Sequence, residues 1–390
     1  MRLKNLFLTV LIAAISCSSC SKKEIANPTS NDSLPGGPPS SQFKVTVTTI
    51  AGKVGDHGNA EDGNGANARF WNPTKMVFDK RNNMLYIADG TVVRSIDQQN
   101  NVSTYMPLRT ISNYNEILDI DVAPGPAGGT LYIITKENDL WKLEPDAGTA
   151  KATNIINRIY GGNETGPLNS GDHFDLPNGV ATGQNGEIYF FNEPWNTLHR
   201  ITLTSSTTGT VESFAGKPLA DRGGNGNPYP VQDGQGEEAT FGSRVSDIAS
   251  DGNGNIYVAD LDNELVRMVT PSGAVSSLFP YRNKIASDID GPVSSAQSNN
   301  VIQVSANQDG SYVFFATFGN SANNLSALRV VRPGKDVTTL VGYGYSGSYA
   351  DGPGTTAGLG QIGGIAATPD GKTIYVSEPG MKVIRKVMLQ

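Results

Sequence analysis

Cysteine is nearly absent: the 390 residues hold two, Cys17 and Cys20, and none follows. The body beyond residue 20 therefore has no disulfide, and packing alone must hold it together. Histidine is as scarce. His57, His173 and His199 are the three. They fall in separate segments, two between strand groups and one within a strand, which gives a zinc site poor material. Ser-His-Asp catalysis has no motif behind it, since the nearest approach to Gly-x-Ser-x-Gly is Gly344-Tyr345-Ser346-Gly347, one residue short. Positive charge is in deficit as well. With 30 Lys and Arg against 37 Asp and Glu the net charge is −7, and the basic residues are scattered. This argues against nucleic acid and against electrostatic docking on anionic lipid. The apolar run from Leu6 to Ile15 is too short to cross a bilayer.

That run follows Arg2 and Lys4 and leads into Ser16-Cys17-Ser18-Ser19-Cys20, the layout of a secretory signal. A cysteine beside small residues after such a run resembles the lipobox of bacterial lipoproteins. The resemblance implies a thiol that carries diacylglycerol and becomes the first residue of the mature chain. Cys17, preceded by Ala14-Ile15-Ser16, fits better than Cys20, preceded by Cys17-Ser18-Ser19. An ordinary cleaved signal with two incidental cysteines is the alternative. Residues 1–20 thus read as signal and lipidation site. Residues 21–43, rich in Ser, Asn, Pro and Gly, cannot bury enough surface to offset their ordering entropy, and read as a disordered tether partly stiffened by proline. The expected location is the bacterial outer membrane after export, on either side, with the lipid as the only membrane contact.

Residues 44–390 are organised by a repeat. Six apolar strand cores recur about every 58 residues: Leu85–Asp89, Leu131–Thr135, Ile188–Asn192, Ile256–Asp260, Val313–Thr317 and Ile374–Glu378. A shorter apolar stretch and a Gly/Asn/Asp turn precede each core, as in Asp247-Ile248-Ala249 before Asp251-Gly252-Asn253-Gly254. A segment with a basic residue follows, then one rich in Thr, Ser and Val. No helical pattern intervenes. The expected fold is all-β, a six-bladed propeller of four-stranded antiparallel blades. The last blade runs out of chain after its third strand, Val383 to Leu389, and Val45 to Gly52 copies the fourth-strand pattern of Val211 to Gly216 and Val337 to Gly342. The N-terminal strand should therefore complete the last blade and remove two unpaired edges.

Ala239-Thr240-Phe241, Asp247-Ile248-Ala249, Gly254 to Asp260, Asn263 and Val266-Arg267 together resemble the NHL repeat, and the resemblance, clearest in blades one, four and six, covers residues 44–390. It implies a six-bladed propeller. With the export signal, the chain also resembles the anchored NHL proteins that Gram-negative bacteria encode near glycan-uptake systems, by analogy alone. In this repeat the polar residue ending the second strand recurs with a basic residue of the third: Asp89 with Arg94, Asn192 with Arg200, Asp260 with Arg267, Glu378 with Arg385. Such repetition points to a structural tie. The connections between blades also repeat, with Asp-Gly followed by one apolar residue: Asp62 to Phe70, Asp233 to Phe241, Asp290 to Ala296, Asp351 to Leu359. That residue is expected to plug the gap between blades.

Functional candidates lie where the repeat is broken. At the start of each innermost strand stand Lys75, Asp119, Gly179, Asp247, Gln303 and Gly364. Lys75, Asp119, Asp247 and Gln303 are the channel-mouth ligand candidates, for a small polar ligand, a cation or water. Asp119 and Asp247 could approach as metal ligands, but hard cations usually need more oxygens, so no metal or cofactor is assigned. Trp195, Tyr229, Tyr343, Tyr345 and Tyr349, on Gly-rich or inserted loops, are rim aromatics suited to sugar faces or a partner protein, or to packing between blades. The expectation is a monomeric binding or scaffolding module of the envelope, for a glycan or a partner protein. The alternative is a metal-dependent hydrolase or lyase with its site at the channel mouth.

Overall fold

The computed structural model describes residues 43–56, 58–107, 116–123, 128–146, 149–156, 166–168, 177–218, 231–282, 288–319, 326–342, 349–354 and 356–390. Cys17 and Cys20, with the signal and nearly all of the tether, lie outside them.

The chain folds as a six-bladed propeller of antiparallel sheets. In blade one the strands Pro73–Asp79, Met84–Asp89, Val92–Ile96 and Asn101–Pro107 run from the axis outward. The first strands of successive blades pack on one another all the way round the ring, blade six returning to blade one. Second strands such as Leu131–Thr135, Ile188–Asn192 and Ile256–Asp260 are buried at every position. A strand covered on both faces by neighbouring blades has no solvent side, so its sequence runs apolar without alternation. Six apolar clusters follow, each shared by two adjacent blades. Between blades one and two, for example, Tyr86, Ala88 and Val93 meet Ile117, Leu131 and Ile133.

Closure is made by the N-terminal strand Val45–Gly52, which pairs antiparallel with Val383–Leu389, from Val45 opposite Leu389 to Gly52 opposite Val383. Five sheets also gain a two-residue outermost strand from the connections, such as Gly63–Asn64 and Gly234–Gln235. The connection plugs are buried: Phe70 is 1% exposed, Phe241 2%, Ala296 and Leu359 0%.

A repeated polar clamp holds four blades. Arg94, fully buried, donates to Asp89 at 3.3 Å, to Asp62 at 2.8 Å and to the carbonyls of Arg69 and Glu61. Asp62 in turn accepts from the amide and hydroxyl of Thr104 on the fourth strand. The same unit recurs as Arg267 with Asp233 and Ser277, Arg329 with Asp290 and Thr339, and Arg385 with Asp351 and Thr49. Thr49 belongs to the N-terminal strand, which thus supplies its blade's clamp as well as its edge. Arg267 meets Asp260 at 3.2 Å and Arg385 meets Glu378 at 3.1 Å.

The pairing expected between Asn192 and Arg200 is not what the structure shows. Arg94, Arg267, Arg329 and Arg385 stand opposite Ile87, Val258, Phe315 and Val376, and the residue with that register in blade three is His199, opposite Phe190. Arg200 is one position further on, facing the other side of the sheet. There its guanidinium bonds the Glu212 carboxylate at 2.8 and 2.6 Å and lies 4.3 Å from the Phe214 ring centroid.

Candidate functional site

The innermost strands are Pro73–Asp79, Ile117–Val122, Pro177–Thr182, Val245–Ser250, Val301–Ala306 and Gly364–Ala367. In the first five the ladder to the second strand slips by a bulge, between Pro73 and Met76, Ile117 and Asp119, Asn178 and Val180, Val245 and Asp247, and Val301 and Gln303. Bulges re-aim side chains, and these lie at the positions singled out from the sequence. The two glycines of that set serve close approach. A Cβ on Gly364 would come 2.5 Å from the Thr74 carbonyl oxygen, and one on Gly179, whose φ is +71°, would come 3.0 Å from the Ile248 nitrogen.

Lys75, Asp119, Asp247 and Gln303 all line one cavity of about 380 Å³. They are 9%, 4%, 5% and 7% exposed, which places them at its floor and not, as the sequence leads one to expect, at its mouth. The reason lies in the strand direction. Each innermost strand runs several residues beyond them before its turn, and the cavity opens among those turns, at Asp79-Lys80-Arg81, Gly183-Gln184, Asp251-Gly252 and Asn307-Gln308. The connections between blades enter at the opposite end of these strands, so the cavity opens on the face away from them.

At the floor the Lys75 ammonium bonds the Asp247 carboxylate and donates to the Ser246 carbonyl at 3.1 Å. Asp247 also accepts the Val304 amide at 2.8 Å, and Asp119 accepts the Val180 amide at 2.7 Å, so each carboxylate fastens the next blade to its own. Burial pushes the Asp119 and Asp247 carboxyls above the usual range, with Lys75 opposing the rise. Asp121, two positions from Asp119 on the same strand face, is pushed up to about 6 by burial, against the opposing pull of the Val122 amide and of Thr182. The sequence signal for it is the spacing Asp119-x-Asp121 on an innermost strand, which the search for one residue per strand entrance passes over. The Oδ2 of Asp121 and the Oε1 of Gln303 are buried without a hydrogen-bond partner, and both residues line the cavity.

At the opening Arg81 pairs with Asp79 at 2.8 Å. Gln308 spans the rim, its carbonyl accepting the Gly252 amide at 2.8 Å, its own amide donating to the Pro369 carbonyl at 3.0 Å, and its side chain taking a bond from Lys80. Among the described residues no group of three or more His, Cys, Asp or Glu is placed to hold a metal ion. His199 is buried within blade three, its ring 5.4 Å from that of Phe190; His57 and His173 lie outside the described residues.

The rim aromatics among the described residues, Trp195 and Tyr349, are on the other face. Trp195 ends the short 3-10 turn Glu193–Trp195 between the second and third strands of blade three and is half-buried. Tyr349 packs its ring near Gly360, where a Cβ would come 3.1 Å from Cε1. Tyr229, Tyr343 and Tyr345 lie outside the described residues. On the same face the structure adds Trp71, which is 59% exposed, and Lys382 of blade six holds its ammonium 5.2 Å from the Trp71 ring centroid. The sequence hides Trp71 because it directly follows the plug Phe70, and nothing in the pair says which ring turns inward.

No protein-family model matches the chain. Human teneurin-4 is 25% identical to it over 237 residues, 56% of this chain and 8% of teneurin-4. The chain therefore spans less than a tenth of the curated relatives it matches. Among solved structures, an auxiliary nutrient binding protein from Bacteroides thetaiotaomicron aligns with a TM-score of 0.60 and 18% identity, over 89% of this chain and 77% of that one. A protein of the same description from Bacteroides ovatus aligns with a TM-score of 0.61 and 16% identity, over 90% and 78%. At these identities the likeness establishes the fold.

Proposed function

We propose that this propeller is a binding module of the bacterial envelope, anchored by lipid at Cys17 and presenting the face that carries the blade connections to a glycan or a partner protein. The observation that carries the reading is Trp71. A tryptophan left 59% exposed forgoes burial of a large apolar ring, and exposed indole is the surface that stacks on sugar rings and anchors protein contacts. The Lys382 ammonium over the ring adds a donor for hydroxyls or carboxylates beside the stacking plane. Trp195 lies on the same face, and the two nutrient-binding neighbours are a precedent for this architecture in proteins described by binding.

The test is retention on a glycan array, and capture of envelope proteins by cross-linking, for the native chain and for Trp71→Ala and Trp195→Ala. The reading expects a ligand bound by the native chain and lost, by tenfold or more in affinity, in Trp71→Ala. Equal binding by the native chain and both variants, or no ligand on either readout, sinks it.

A further inference from the structure

The cavity on the opposite face has a chemistry of its own. Its lining carries Asp119 and Asp121, two positions apart on a single strand face, and the charge of Lys75 opposes the rise that burial imposes on the Asp119 carboxyl. That one lysine at the floor is engaged by Asp247 and by the Ser246 carbonyl, and Arg81 at the opening by Asp79. The Oδ2 of Asp121 is buried without a partner, and so is the Oε1 of Gln303, a residue only 7% exposed. Buried polar atoms left unpaired are costly and rare, and here two acceptors share one cavity. Among the described residues the lining holds one further unpaired group, the Thr182 hydroxyl, which cannot serve both acceptors, and what is in short supply is positive charge.

We propose that the central cavity binds a small hydroxylated primary amine, of the size of an aminosugar, with its ammonium held by Asp119 and Asp121 and a hydroxyl donating to Gln303. A bare metal ion suits the site poorly, since no three acidic or histidine side chains converge among the described residues, and an anion would meet the acids head on. The volume of about 380 Å³ falls within the range of small-molecule pockets. Lys75 fits the same picture. Its ammonium bonds Asp247 and the Ser246 carbonyl, so the carboxyls left to an incoming ammonium are those of Asp119 and Asp121 on blade two. Gln308, at the opening, is bonded to blades one, four and six. This site is independent of Trp71 and survives if the glycan-face reading fails.

The test is calorimetric titration of the full chain in detergent with glucosamine, N-acetylglucosamine and glucose. Glucosamine should bind saturably at one site per chain, with both uncharged sugars at least tenfold weaker. Asp121→Asn should weaken glucosamine at least tenfold, whereas Trp71→Ala should leave it unchanged. Far-UV circular dichroism and the melting temperature of Asp121→Asn establish that the variant is folded, and Gln303→Leu provides a second variant with the same expected loss. The proposal is overturned by the absence of saturable glucosamine binding, by equal affinity for glucose, or by undiminished binding in both folded variants.

Discussion

Lys75 and Asp247 stand on blades one and four, diametrically opposite in a ring of six, and their side chains meet across the axis. A pair so placed couples the two halves of the ring through a single ionic contact. It is buried on both sides, with side-chain exposures of 11% and 7%.

Removing the cation alone should be severe. Lys75→Met leaves the Asp247 carboxylate without its ammonium partner and close to Asp119, and breaking one side of a buried pair typically costs about 3–5 kcal/mol. Guanidinium denaturation at pH 7 should show that loss, and Asp247→Asn in the same chain should recover part of it. A loss under about 1 kcal/mol would mean that the pair is solvated and that the ring does not depend on it.

Asp121 should tilt the pH dependence of stability. Its folded-state carboxyl titrates at about 6, above the ordinary value of 3.8, because burial disfavours the charged form. The folded state therefore binds more protons between these two values, and the stability it gains from them is complete below the unfolded value and lost as pH rises through about 6. Asp121→Asn removes that loss. Without ligand, the variant should gain on the native chain in melting temperature between about pH 4 and about pH 7, on the order of 2 °C or more. A constant difference across that interval contradicts the assignment.

The clamp arginines should separate cleanly from their look-alike. Arg267→Met strands Asp260 and Asp233 and two carbonyls that now receive its donors, and should destabilise by about 3 kcal/mol or more. Arg200→Met removes a partly exposed pair with Glu212 and should cost about 1 kcal/mol or less. Comparable losses in the two variants would contradict the register that puts His199 in the clamp position of blade three.

Lipidation is tested directly. In cells fed an alkyne fatty acid, the native chain and Cys20→Ser should both incorporate the label and fractionate with membranes, while Cys17→Ser should do neither. Label retained in Cys17→Ser and lost in Cys20→Ser would move the anchor to the second cysteine.

Much of the ring can be read from residue order. Blade number, the buried plugs Phe70 and Phe241, and the seam between Val45–Gly52 and Val383–Leu389 all follow from apolar strands and Asp-Gly turns that repeat, and repetition averages out local ambiguity. Single-residue offsets are what residue order hides. His199 and Arg200 are adjacent, and in a strand adjacency means opposite faces, so a shift of one exchanges a buried clamp position for a surface pair. Phe70 and Trp71 pose the same difficulty, one ring inside and one out. The cavity is legible in its residues but not in its depth, because where a strand ends relative to Lys75 or Asp119 depends on how far it continues past the bulge, which composition does not record.

The seam also sets a timetable. Its partners are as far apart as Thr48 and Lys386, 338 positions along the chain, and a ribosome delivers the first long before the second. Until residues 383–389 are available, the opening strand has only its two-residue contact with Gly352–Pro353 and blade six lacks its third strand, so the circle cannot be sealed. Sealing the circle is therefore not the work of any one blade: it needs residues 45–52 and 383–389 present together and free to meet.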